Sequence, residues 1–88
     1  MRRTKVVVTK QVKVIQCERP YVLFGEAVAA ARRRRSITQQ ILADKLKVSR
    51  GSIANIEVGR QRVLLSDVFA FAKALDVPAQ SFFRAVQK

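Results

Sequence analysis

Eighty-eight residues leave room for one compact domain, and a hydrophobic share of 49% is that of a globular chain rather than a disordered tail. Eighteen lysines and arginines against six aspartates and glutamates give a formal charge of +12, an excess that calls for an anionic partner, nucleic acid or a membrane surface. One cysteine and no histidine exclude an intrachain disulfide and leave almost no material for zinc ligation or histidine-based catalysis, so no cofactor, metal or enzymatic role is expected.

The lone Cys17 also implies a reducing compartment. No apolar run approaches the ~20 residues that a bilayer requires, and no signal peptide is visible, so a cytoplasmic location is expected.

The chain divides into an arm, 1–19, and a helical region, 20–88. In the arm, Val6, Val8, Val12 and Val14 share one parity, the period of a strand, although Val7 and Ile15 fall on the other. A single strand beside helices leaves both edges unpaired. Pairing with its own copy across a two-fold axis is the economical solution and makes Val6, Val8, Val12 and Val14 a dimerisation arm. Two alternatives stay open: strand addition to a protein partner such as a toxin, and entry of Arg2 and Arg3 into a minor groove.

Pro20 can open the first helix, whose apolar residues Leu23, Phe24, Ala27, Val28 and Ala31 recur at spacings of three and four before the run Arg32 to Arg35. Thr38 can cap a second helix carrying Ile41, Leu42, Ala43 and Leu46. Ser49 can cap a third with Ile53 and Ile56 inward, and Gly59 ends it. The loop RQRVLL leads to Ser66, which can cap a fourth helix with Val68, Phe69, Ala72 and Leu75. Pro78 follows, and a last helix holds Phe82, Phe83 and Val86. Phe69, Phe71, Phe82 and Phe83 read as core or dimer interface.

The second and third helices are separated by Lys47 to Ser49, the spacing of a helix-turn-helix. Such a pair crosses steeply and needs a small residue at the crossing, where Ala43 stands. Leu42, Leu46, Val48, Ile53 and Ile56 are expected to bury the seam. At 100° per residue, Ser49, Ile53 and Ile56 project inward, and Arg50, Gly51, Ala54, Asn55 and Val58 outward. An outward face of small residues with an arginine and an asparagine suits a helix lying in the DNA major groove: small side chains allow close approach, arginine pairs with guanine, and asparagine with adenine. Gly51 costs roughly 1 kcal/mol relative to alanine inside a helix, which approach of the backbone to DNA would explain. The plain alternative for Arg50 and Asn55 is a solvated face.

The segment TQQILADKLKVSRGSIANIEVGRQRV resembles the helix-turn-helix of the phage repressor and Cro family, the xenobiotic-response-element type. Thr38-Gln39, Leu42-Ala43, Leu46-Lys47-Val48-Ser49, Ile53, Ile56-Glu57 and Gly59 carry the likeness, and DVFAFAKALDVPAQSFF resembles the later helices of the family. Lys47 departs from it, standing where glycine is common. The resemblance implies a mainly α, five-helix lambda-repressor-like DNA-binding domain. It implies that Arg50, Gly51, Ser52 and Asn55 face bases, that Gln39, Ser49, Arg60 and Arg62 touch the DNA backbone, and that Arg32 pairs with Glu57.

The expected function is a sequence-specific transcriptional regulator, a repressor that binds a palindromic operator in double-stranded DNA as a homodimer, with residues 49–57 as recognition helix. The alternative is an antitoxin that holds a toxin protein and autoregulates its operon. A membrane-surface role fits poorly, because the charges do not oppose one broad apolar face. The resemblance suggests a bacterial, phage or plasmid origin.

Overall fold

The computed structural model describes residues 18–87, and these form five α-helices: α1 (Arg19–Arg34), α2 (Gln39–Leu46), α3 (Arg50–Glu57), α4 (Leu65–Leu75) and α5 (Ala79–Ala85). The arrangement is lambda-repressor-like, with α1 packed on α3, α2 crossing α3, and α4 and α5 closing the other side. The expected strand arm with Val6, Val8, Val12 and Val14 lies outside the described residues, as does Cys17.

Local chemistry sets the helix boundaries. Pro20 sits in the first turn of α1, where its missing N–H costs nothing. Thr38 Oγ1 accepts from the Ile41 N–H (3.1 Å) and Ser49 Oγ from the Ser52 N–H (3.0 Å), so both expected caps are formed. The expected cap at Ser66 is not. Leu64 is the N-cap of α4, its N–H donating to Asp67 Oδ2 (2.8 Å), and Ser66 falls inside the first turn. Asp67, three residues after the cap, satisfies an amide that would otherwise be orphaned, so the acid rather than the serine starts this helix.

Four helix ends use the same exit. Ser36, Lys47, Gly59 and Asp76 adopt left-handed backbone, with φ between 57° and 81°. Each is followed by a bond back into the helix: Ile37 N–H to the Arg32 carbonyl, Val48 to Ala43, Arg60 to Asn55, and Val77 to Ala72. Only one of the four is glycine.

The core is centred on Phe24, which meets Phe71 and Phe82 edge to face at centroid distances of 5.6 and 5.2 Å. Val28, Leu42, Ala43, Ile53, Ile56, Leu75 and Phe82 are buried around it. Of the phenylalanines expected in the core or at a dimer interface, Phe71 and Phe82 are buried, and Phe69 is 54% exposed. The apolar stripe of α4 runs through Val68, Phe71, Ala72 and Leu75, at intervals of three and four. Val48, expected to bury the seam, is 43% exposed, and Ile41 is 44% exposed, since the short α2 turns Leu42 and Ala43 to the seam.

α1 and the end of α3 approach closely. A Cβ on Gly25 would collide with the Ile56 carbonyl oxygen and lie 2.7 Å from that of Glu57, and one on Gly59 would lie 2.6 Å from Val22 Cγ2. These two glycines fix how deeply α1 seats against the helix that carries the candidate site. No helix among the described residues is long and apolar enough to cross a membrane.

Candidate nucleic-acid interface

The outer face of α3 is built by subtraction. Ile53 and Ile56 are buried toward α1 and α2, and the Glu57 carboxylate is buried with them. Arg50, Gly51, Asn55 and Val58 remain exposed, with Ala54 half-buried. A Cβ on Gly51 would meet nothing nearer than Ser49 Oγ at 3.9 Å. Glycine there serves no internal packing, unlike Gly25 and Gly59.

A hydrogen-bonded chain runs from the core to this face. Arg32 donates to Glu57 through Nε (2.7 Å to Oε2) and Nη2 (3.1 Å to Oε1), and its Nη1 donates to the Ile37 carbonyl (2.9 Å). Both side chains are largely withdrawn from water, 13% and 6% exposed. The bond to Glu57 raises the pKa of Arg32 above its ordinary value, burial opposes that rise, and the charge of Glu57 adds to it. Glu57 Oε1 also accepts from Gln39 Nε2 (3.0 Å), and Gln39 Oε1 in turn accepts from Arg50 Nη1 (3.3 Å). The side chain of Arg50 is thereby tethered over the N-terminus of α2 by contacts that begin in the interior.

The residues expected to face bases differ in exposure. Arg50, Gly51 and Asn55 lie on the open face. Ser52 is half-buried and its hydroxyl is bonded to Gln61 (3.0 Å from Gln61 Nε2), tying α3 to the loop that follows it. Of the residues expected at the DNA backbone, Gln39 sits at the start of α2 within the chain just described. Ser49 is exposed rather than inward, because an N-cap residue lies outside the helical projection that placed it. Arg60 is exposed, and the guanidinium of Arg62 lies 3.6 Å from the Glu18 carboxylate, with both side chains open to water.

The arginine run splits by function. Arg32 holds Glu57, whereas Arg35 reaches back to the end of α4, donating to the carbonyls of Leu75 (3.1 Å) and Asp76 (2.8 Å) and to Asp76 Oδ2 (3.0 Å). Arg33 and Arg34 are exposed. Sequence reasoning missed Gln61 and Gly25. An isolated glycine inside a helical pattern was a usable signal for Gly25. No signal announced Gln61, since a loop side chain finds its partner only once the loop is folded.

The helix-turn-helix family model matches residues 28–82. No curated protein matches the chain. Among solved structures, the chain is similar to the restriction-modification controller protein C.AhdI from Aeromonas hydrophila. The identity is 27% and the TM-score 0.67, over 72% of this chain and 96% of that one. It shares its fold with the clp gene regulator ClgR from C. glutamicum, at 22% identity and a TM-score of 0.73, over 77% and 88% of the two chains. It shares it also with a mutant of the controller protein C.Esp1396I bound to its highest affinity operator site, at 21% identity and a TM-score of 0.68, over 81% and 99%.

Proposed function

The chain belongs to the Cro/C1-type helix-turn-helix family and is a DNA-binding transcription regulator; from that premise we propose that it represses by occupying a palindromic operator as a homodimer. The observation that carries this reading is the outer face of α3, small, open and furnished with Arg50 and Asn55 around a glycine that the fold itself does not require.

In this reading α3 enters the major groove. Arg50 and Asn55 choose bases, Arg50 with its side chain already held by Gln39, so that less freedom is lost on binding. Gly51 lets the backbone come close. Gln39, Ser49, Arg60 and Arg62 hold phosphates on either side and set the register. Ser52 serves the loop rather than a base, through Gln61. Repression follows from occupancy, because a bound dimer denies the site to other proteins.

Two recognition helices about 34 Å apart would read successive turns of one face of the duplex. The arm, residues 1–19, is one candidate dimer contact. A second is the exposed apolar strip of Leu64, Leu65 and Phe69, with Phe69 stacked edge to face on Phe83 at 5.9 Å. Sedimentation equilibrium of Phe69→Glu separates them: a monomer assigns the interface to α4, and an unchanged dimer leaves it to the arm.

Selection of sites from a random duplex pool, followed by a salt titration on the winner, tests the function. A palindrome with half-sites one helical turn apart, and a log–log salt slope set by several phosphate contacts, is the expected result. General salt-sensitive binding with no enriched sequence would overturn it.

A further inference from the structure

Three lysines converge on a crevice at the end of the molecule that the DNA reading leaves unused. Lys45 is in the last turn of α2, Lys47 is the left-handed residue that ends it, and Lys73 is in the last turn of α4. Together with Leu46, Ala70 and Ala74 they line an open crevice of about 510 Å³ between the two helices. All three lysines are exposed, and none forms an ion pair among the described residues. The neighbouring carboxylates are engaged elsewhere: Asp44 accepts from Gln40 (2.9 Å), and Asp76 is held by Arg35.

Cations at the ends of α2 and α4 complement the helix dipoles, which accounts for Lys45 and Lys73 in isolation. It does not account for Lys47. Its φ of 59° is the left-handed exit that Ser36 and Asp76 also take, so the backbone alone does not call for a lysine among the residues lining the crevice. Nor does it account for the apolar floor beneath three charges.

We propose that this crevice is a docking surface for an acidic amphipathic helix of a partner protein, the carboxylates meeting Lys45, Lys47 and Lys73 and an apolar side chain resting on Leu46, Ala70 and Ala74. The floor decides between partners of like charge: a duplex backbone offers phosphates but nothing apolar to cover it, whereas an acidic helix offers both. The position fits as well. Gln39 and Arg50 meet at the first residue of α2 and the crevice lies at its last, and none of its lining residues is among those assigned to DNA. The inference stands apart from the operator reading, because the partner is a protein and its binding is measured without DNA.

The test is a methyl NMR titration of the full chain with a synthetic helical peptide carrying glutamates along one face and leucines along the other. Saturable shifts confined to the methyl groups of Leu46, Ala70 and Ala74 are expected. Lys45→Glu with Lys73→Glu should weaken binding about tenfold or more, and Arg33→Glu with Arg34→Glu, on the exposed end of α1, should leave it unchanged. Three outcomes would each overturn the proposal: equal binding of polyglutamate, equal loss in the Arg33/Arg34 variant, or displacement of the peptide by a DNA duplex. The titration of the unaltered chain needs no variant, so a misfolded mutant would not obscure the result.

Discussion

The inner and outer faces of α3 use glycine and polar side chains in opposite ways. On the inner side, Gly25 and Gly59 are pressed against carbonyls and a valine, and the polar groups of Arg32, Glu57 and Gln39 are satisfied by one another. On the outer side, Gly51 faces open space, and Asn55 is exposed. A residue that the fold needs is one whose replacement meets neighbouring atoms. A residue that the fold ignores, yet which costs helix stability, points outward to something absent from the chain. The contrast separates the scaffold from the face proposed to meet DNA.

The sharpest way to break that contrast is Gly25→Ala. The added carbon collides with backbone that cannot move without shifting α3, so a loss of about 3 kcal/mol or more is expected, visible as a collapse of the thermal midpoint. A midpoint within a degree of the parent would show that α1 and α3 are not seated as described.

Next in size is Glu57→Ala, which strands the Arg32 guanidinium in a site nearly closed to water and releases Gln39. It should cost about 3 kcal/mol in denaturant unfolding and loosen Arg50 as well. The pair is not a pH switch. Arg32 is raised from an already high value, and a raised cation keeps its stabilising effect at every pH below its unfolded pKa, losing it only as pH climbs through the folded one. Stability curves between pH 6 and 9 should therefore show no step from Arg32, and a step that vanishes in Glu57→Ala would contradict that.

On the outer face the effects move from stability to DNA. Asn55→Ala should leave the unfolding midpoint alone and cost roughly 1–3 kcal/mol of discrimination at one base pair, read by repeating the site selection. Retained preference at every position would mean that Asn55 reads nothing. The smallest effect has the reverse sign for stability. Gly51→Ala should stabilise the domain by roughly 0.5–1 kcal/mol while weakening operator binding, since the site is open within the fold and crowded only against DNA. Gains in both quantities would remove the argument for close backbone approach.

Much of the scaffold was legible beforehand because it follows local rules. Thr38 and Ser49 cap as hydroxyl residues do before an apolar period, and Ile53 and Ile56 lie a helical interval apart on one face. The errors cluster where a helix is short or a cap is shared. The cap of α4 stands two residues before the serine expected there, only packing separated Phe71 in the core from Phe69 outside it, and at eight residues α2 was too brief for its period to say that Ile41 would stay outside. The exposed face of α3 was legible by position: Arg50, Gly51 and Asn55 follow from the projection of the helix, whereas Ser52 lies on the same helix yet turns to Gln61.

The sequence by itself determined the number of helices, the helix-turn-helix spacing, the excess of positive charge and the identity of the residues on the outer side of α3. All of these depend on intervals along the chain, which periodicity and capping chemistry can read. Only the tertiary structure decided that Arg35, of four consecutive arginines, caps the end of α4. It alone decided that Gln39 links the interior to Arg50, and that Lys45, Lys47 and Lys73 gather around one crevice. Those contacts join residues far apart in sequence, and their partners are chosen by distance after packing, a quantity that no local pattern encodes.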